Sequence, residues 1–244
     1  MPRTADEHLR GPGRPDRRRH RRGRGIGLAV VEACLAAGAR VVAGTRTRTE
    51  ALDLLVKQGA ELTVVEVDLA LPEAPAELVA EAVAVHGSVD VLVNNVGAVR
   101  PRPEGFLSVT DDEWEWTFTI NFMAAVRVTR AALPHLIAAG DGRIVTVSSV
   151  NARLPDPLVI DYCAAKAALT NICKALSKEV GPRGVRVNTV DPAEVAQGAA
   201  AQAVTGRFSR PSEIADLVVH LAGPSSANIT GADFVIDGGL VDSL

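Results

Sequence analysis

From Gly25 onward the chain alternates short β-branched runs with segments whose apolar residues recur at helical spacing, and this alternation sets the fold class. The segment "GIGLAVVEACLAAGA" predicts a helix with a Gly-Ala stop, "RVVAGT" a strand, and "ALDLLVKQGA" a second helix. Further strands are expected at "ELTVVEVDL", "VDVLVNNVG", "GRIVTVSS", "VRVNTVDP" and "ADFVIDGG". Helices are expected at "PAELVAEAVAVHG", from Thr110 to about Ala139, at "DYCAAKAALTNICKALSKEVG" and at "PSEIADLVVHLAG". Near-continuously apolar strands separated by helices imply an α/β domain with a doubly wound parallel sheet, covered by helices on both faces. The 244 residues, 47% of them hydrophobic, suffice for one sizeable core, and neither an internal repeat nor an interdomain linker breaks the pattern.

Charge is distributed unevenly. Residues 1–24 hold nine Arg against Asp6, Glu7 and Asp16, a net +6, which leaves −9 on the remainder of a chain whose formal charge is −3. A basic head of this kind suggests a polyanion-binding arm. It carries no interleaved aromatics and no recognisable binding module follows it, so no nucleic-acid partner is expected. Three scattered cysteines, Cys34, Cys163 and Cys173, lack metal-ligand spacing, and so sparse a set points to a reducing compartment, the cytoplasm. No apolar run reaches the roughly 18–20 residues of a membrane span, and no apolar core of a secretory signal follows the basic start.

In an open parallel sheet, ligands bind beyond the carboxyl ends of the strands. Polar residues fall there in series: Asp68 after "VVEV", Asn94, Asn95 and Gly97 after "VDVLV", Ser148 and Ser149 after "RIVTV", and Asp191-Pro192 after "VRVNTV". The sharpest constellation is Ser149 with Tyr162 and Lys166. Tyr and Lys four apart on a helix share a face, so an ammonium can sit beside the phenol and favour its ionised form. A phenol tuned in this way exchanges a proton with an alcohol or carbonyl oxygen. Ser149, at a strand end, can donate a hydrogen bond to that same oxygen.

With these residues in view, the sequence resembles a classical short-chain dehydrogenase/reductase over about residues 23–244. The resemblance rests on "GRGIG", "VDL" with Asp68, "NNVG", "TINF" with Asn121, "VSS" with Ser149, "YCAAK", "VRVNTVDP" and "TGADFVIDGGL". It implies a single Rossmann-type domain over residues 23–244, after an atypical basic segment at 1–22. It also implies a nicotinamide cofactor, hydride transfer to or from a carbonyl or alcohol carbon, and a homotetramer or homodimer. Catalytic roles carry over to Tyr162 as general acid/base, Lys166 as the group that tunes it and binds the nicotinamide ribose, and Ser149 as the substrate-oxygen anchor. Asn121 would hold the water of a proton relay. Cofactor contacts are implied at Gly23, Arg24, Gly25, Ile26, Gly27, Arg46, Asp68, Leu69, Asn95, Gly97, Tyr162, Lys166, Pro192 and Val195.

Cofactor choice follows from the end of the second expected strand. NAD-specific folds of this type place a carboxylate there for the ribose 2′-OH. Here "AGTRTRTE" offers Thr45 and Arg46 instead, and Arg46 with Arg48 suits a 2′-phosphate. NADP(H) is favoured, with NAD left open.

The sequence departs from the family in two places. The family turn T-G-x-x-x-G-x-G would fall on residues 20–27, where His20 and Arg21 replace Thr and the first Gly. The first strand before it should be a short apolar run in mid-sheet, yet the chain reads "RPDRRR". Burying one unpaired charge costs on the order of several kcal/mol, against a domain stability of about 5–15 kcal/mol. Pro15 also removes a ladder donor. A displaced reading frame over about residues 11–22 accounts for this, because Arg codons of the form CGN read one base later encode Val, Ala, Asp, Glu or Gly. A real basic arm is the other account. The second departure is the stretch "AEVAQGAAAQAVT" after Pro192, about half the family's substrate loop, with Gln197 where a Thr is usual. The leading expectation is an NADP(H)-dependent oxidoreductase acting on an unidentified ketone or secondary alcohol. The alternative is a catalytically impaired relative that keeps the fold and its oligomer surface.

Overall fold

The computed structural model describes residues 25–193 and 203–242. Its elements follow the sequence pattern closely. They run α1 (Ile26–Ala36), β1 (Val41–Thr45), α2 (Glu50–Lys57), β2 (Leu62–Glu66), α3 (Ala74–His86) and β3 (Val91–Asn94). Then come α4 (Asp111–Phe118), α5 (Ala124–Ala139), β4 (Gly142–Val147), α6 (Ile160–Val180), β5 (Val185–Pro192), α7 (Pro211–Ala222) and β6 (Asp233–Ile236). The basic segment 1–22, with Gly23 and Arg24 after it, lies outside the described residues.

Every strand pairing is parallel, and β3-β4-β5-β6 form one sheet in that order. Strand β5 is buried along its whole length, as expected of a β-branched run covered on both faces. On one face Val145, Val147 and Val190 pack against α1 and α7 through Ile26, Val30, Ile214, Val218 and Leu221. On the other, Ile144, Val185 and Val187 pack against α5 and α6 through Val128, Leu136, Leu169 and Val180. These two apolar layers are the doubly wound arrangement.

The expected helix from Thr110 to Ala139 is interrupted. Thr110 starts it with a capping box: Glu113 N–H donates to Thr110 Oγ1 at 3.4 Å, and Thr110 N–H to Glu113 Oε2 at 3.0 Å. A π turn then spans Thr119–Met123. Its cause is Asn121, whose side-chain amide donates to Thr117 O at 3.0 Å. That carbonyl is the one an α-helix would give to the Asn121 main-chain N–H, so the ladder widens by one residue.

The sheet itself comes in two pieces. Strand β1 pairs with β2 alone, as a separate two-stranded sheet. Among the described residues no strand joins β1 to β3. The two edges border a cavity of about 680 Å³, lined by Val41, Val42, Ala43, Val91, Leu92 and Val93 with Val30 and Val31 of α1. All of β1 is only half-buried, and Val91 of β3 is 36% exposed, whereas β5 is sealed. The gap is where the sequence predicts a first strand between β1 and β3, and the residues expected to form it lie outside the described ones.

A strand here would satisfy the main-chain groups that β1 and β3 turn away from their partners. Replacing residues 14–22 with an apolar, β-branched run followed by Thr-Gly-Gly is expected to raise the melting temperature by roughly 5 °C or more. Scanning calorimetry of both proteins is the check. An unchanged Tm would show that the apolar run does not occupy the gap.

Candidate active site

The carboxyl ends of β3 and β4, the π turn and the first turns of α6 bring four of the expected site residues together. Lys166 is 3% exposed, and its Nζ donates to Val147 O, at the end of β4, at 3.1 Å. The same Nζ stands 5.7 Å from the centroid of the Tyr162 ring, one helical turn back on α6. A Cβ added to Gly97 would lie 3.1 Å from Asn121 Oδ1 and 3.4 Å from Lys166 Nζ. Gly97 therefore packs against Asn121 and Lys166, with the Tyr162 ring also near the ammonium, and a side chain at 97 would press on both neighbours.

Ser149 lies two residues beyond the end of β4 and is buried. Its Oγ accepts from Asn151 N–H at 3.2 Å and faces Asn151 Oδ1 at 3.3 Å, which shapes the short 3₁₀ turn Val150–Ala152. Ser148 points the other way and ties β4 to α6, with its Oγ 2.8 Å from Thr170 Oγ1 and 3.3 Å from Lys166 O. The side chain of Asn121 is fully engaged: it donates to Ala98 O and Thr117 O and accepts from Ala98 N–H. Asn94 is likewise structural, bonding Thr129 and Thr146.

At the other end of the crevice, Gly25 caps α1 with no side-chain hydrogen bond, so no side chain occupies its first-turn N–H groups. Ile26 is buried in the core behind them. A Cβ on Gly27 would lie 2.7 Å from Asn95 Nδ2, so close approach of α1 to β3 requires glycine there. Arg46 is exposed at the end of β1 and forms no ion pair among the described residues, whereas Arg48 is taken by Asp53. Asp68 accepts from Ala70 N–H at 3.0 Å, and Leu69 is buried in the core beneath it. Pro192 ends β5. Gly23, Arg24, Val195 and Gln197 lie outside the described residues.

Sequence reasoning missed the ionic groups that support this site. Arg102 is buried and donates through Nε and Nη2 to Asp161 Oδ2 at 3.2 and 2.6 Å, with Thr117 Oγ1 on the same oxygen at 2.8 Å. Burial alone would raise the Asp161 carboxyl; Arg102, Thr117 and the Tyr162 N–H outweigh it and hold the group below the usual carboxylate range. The network pins the residue before Tyr162 to α4 and to the loop after β3. A second group joins Arg153, Asp191 and Asp233. In the sequence these are solitary charges, and only the adjacency of Asp161 to Tyr162 and of Arg153 to Ser149 hints at their use.

The comparisons with known proteins agree with this geometry. The family model for short chain dehydrogenase matches residues 22–207. The chain belongs to the short-chain dehydrogenase family. Bovine (Bos taurus) L-xylulose reductase is 36% identical over 234 residues, covering 90% of this chain and 93% of that protein. D-threitol dehydrogenase of Mycolicibacterium smegmatis is 35% identical, covering 88% of each. The crystal structure of a short-chain dehydrogenase/reductase from Burkholderia xenovorans superimposes with a TM-score of 0.84 at 26% identity, over 91% of this chain and 92% of that one.

Family membership makes the chain an oxidoreductase, in a family whose members generally use NAD(P) and act on small molecules. The residues present fit such a cofactor: Gly97 puts no side chain against Lys166 and Asn121, and the Gly25 cap adds no side-chain bond to the N-terminus of α1. Breaking the buried Arg102–Asp161 pair should be costly, because one charge would remain without its partner. Arg102→Met is expected to lower Tm by roughly 5–10 °C, measured by circular dichroism. A loss under 2 °C would show that water reaches Asp161 and replaces the guanidinium.

Proposed function

We propose that the protein interconverts a ketone and a secondary alcohol, using NADP(H) in preference to NAD(H), with Ser149, Tyr162 and Lys166 as its catalytic residues. The observation that carries this reading is the Lys166 ammonium, bonded to Val147 O at the end of β4 and standing beside the Tyr162 ring, with Asn121 and Gly97 against it. The bound nicotinamide would supply the hydride in reduction and accept it in oxidation.

Tyr162 gives its phenolic proton to the substrate oxygen during reduction and takes it back in the reverse direction. Lys166, one turn away on the same face, stabilises the phenolate by its charge, and its bond to Val147 O holds the ammonium in place. Ser149 donates a hydrogen bond to the substrate oxygen in place of the one it gives Asn151 Oδ1, and keeps its proton. Asn121, at the π turn, would hold the water of a proton relay.

The pyrophosphate would sit on α1, at Gly25, Ile26 and Gly27, with Gly23 and Arg24 ahead of them. Asn95, Asp68, Leu69, Pro192 and Val195 complete the cofactor wall in this reading. Arg46, exposed and unpaired, would take the 2′-phosphate. Two of the relatives are named for a ketose and a polyol, so small polyols and ketoses are the first substrates to test. A cytoplasmic homotetramer or homodimer completes the reading.

The gap between β1 and β3 favours a second reading, a relative with an intact catalytic face and weakened cofactor binding. The gap lies beside Gly25 and Gly27, where the dinucleotide would rest. Calorimetric titration with NADPH separates the two: a Kd in the micromolar range supports the enzyme, and no heat at millimolar cofactor supports the impaired relative.

Tyr162→Phe is expected to lower turnover at least about 1,000-fold while leaving NADPH affinity within a few fold, because the phenolic proton is needed only in the chemical step. Lys166→Ala should reduce both. Retention of near-parental turnover in Tyr162→Phe would overturn the assignment. For cofactor choice, NADPH should bind more tightly than NADH, and Arg46→Asp should narrow the difference. Equal affinities in the parent would remove Arg46 from the site.

A further inference from the structure

Beneath the first turns of α6, on the face of the sheet that carries Thr189, two carboxyls lie as diagonal neighbours. Thr189 of β5 is opposite Asp233 of β6, and Asp191 is two residues further along β5, on the same face. Asp191 is wholly buried, and among the described residues no donor bonds either of its oxygens. Asp233 accepts from Thr189 Oγ1 and, at 3.0 Å, from Arg153 Nε. Arg153 also pairs with Asp233 through Nη2, and its Nε stands 3.6 Å from Asp191 Oδ2. Arg153 gives its bonds to Asp233, and a wholly buried carboxyl that accepts from no donor among the described residues favours holding a proton toward the neighbouring carboxylate, even with the Lys166 ammonium facing it.

The guanidinium is four residues beyond Ser149. Arg153 N–H donates to Val150 O at 2.9 Å, closing the turn that Ser149 opens. The turn therefore has two anchors, the Ser149–Asn151 bonds at its start and the ionic contact with β5 and β6 at its end.

We infer that Arg153, Asp191 and Asp233 form a proton-sharing clamp that holds the Ser149 turn against the ends of β5 and β6, with Asp191 as a positioning residue for the substrate-oxygen anchor. The role assigned to Ser149 rests on the proposed oxidoreductase function; the clamp itself does not. The charged groups that face Asp191 are Asp233 from β6, Arg153 from the turn and Lys166 from α6. Cys173 of α6 also faces it, but burial pushes that thiol up to about 11, so it stays neutral throughout the relevant range. Burial first, and then the Asp233 charge, push the Asp191 carboxyl up to about 8. The sign follows. A carboxyl whose folded value is raised binds its proton more tightly in the fold than in the unfolded chain, so its contribution to stability declines as pH rises from about 4 through about 8. Above that range the clamp carries two full negative charges on one arginine, and the turn loosens.

The test compares the full-length parent with Asp191→Asn and Arg153→Gln by hydrogen exchange over residues 147–156 at pH 6 and pH 9, with melting temperatures from pH 5.5 to 9.5. Asp191→Asn keeps the shape, offers Asp233 an amide donor at every pH, and cannot ionise. Parent and Asp191→Asn should exchange alike at pH 6, while at pH 9 the parent segment should exchange at least threefold faster. Arg153→Gln should exchange fast at both. The fall in Tm above pH 7 should be smaller in Asp191→Asn than in the parent. Equal exchange of parent and Asp191→Asn at pH 9 overturns the clamp, as does slow exchange in Arg153→Gln. Turnover with a ketose and NADPH is read on the same samples. An alkaline fall in kcat that Asp191→Asn abolishes supports the positioning role, and identical pH profiles overturn it. Absent turnover beside an intact exchange step counts against the oxidoreductase reading and leaves the clamp supported.

Discussion

Parallel pairing of β4 with β5, from Gly142 opposite Val185 to Val147 opposite Val190, is the constraint on which the active site depends. A strand covered on both faces must satisfy all its main-chain groups in the ladder, so its register is fixed by both apolar layers at once. That register places the Val147 carbonyl where Lys166 can reach it, and starts the Ser149 turn one residue after Ser148 is fastened to α6. The neighbouring β5–β6 register sets Asp191 diagonally from Asp233. The catalytic groups are thus held by strand ends that cannot slide without turning apolar side chains out of the core.

The same constraint explains why the N-terminal half is weaker. Strands β1 and β2 pair only with each other among the described residues, and a two-stranded parallel pair has little stability of its own. Helices do the joining. Ile26 and Val30 of α1 pack with α7 and the faces of β4 and β5, and Val79 of α3 joins the core that α5 and α6 share. The crevice therefore has one wall on a continuous four-stranded sheet and another held mainly through helix contacts.

Much of this was legible in the sequence, for reasons that can be stated residue by residue. The β-branched runs at 142–147 and 185–192 admit only buried strands, and the spacing of Tyr162 and Lys166 puts both on one face of α6. Thr110 was readable as a helix start because the glutamate three residues on completes its capping box. The interruption at Asn121 was not, since it arises from one side chain competing for the Thr117 carbonyl, and periodicity carries no trace of that. Nor were the ionic groups. Arg102 meets Asp161 across 59 positions and Arg153 meets Asp233 across 80, contacts that exist only once the strands and α6 are in place.

The arginines before Gly25 acquire their meaning from what surrounds the gap. Val41, Val42, Val91, Leu92 and Val93 line it, together with Val30 and Val31, a set suited to an extended apolar segment and not to guanidinium groups. A charged arm would have to leave this space to solvent, exposing two strand edges that other chains could pair with. In the proposed reading the two ends of the crevice rest on different supports. Tyr162 and Lys166 stand on α6, and Ser149 lies beyond the end of β4, while the helix N-terminus that would meet a pyrophosphate lies at the mouth of the gap. Val96 lines the gap and Gly97 beside it meets Lys166 and Asn121, so a defect at the gap should act on cofactor affinity first and reach the proposed proton chemistry only through the segment after β3.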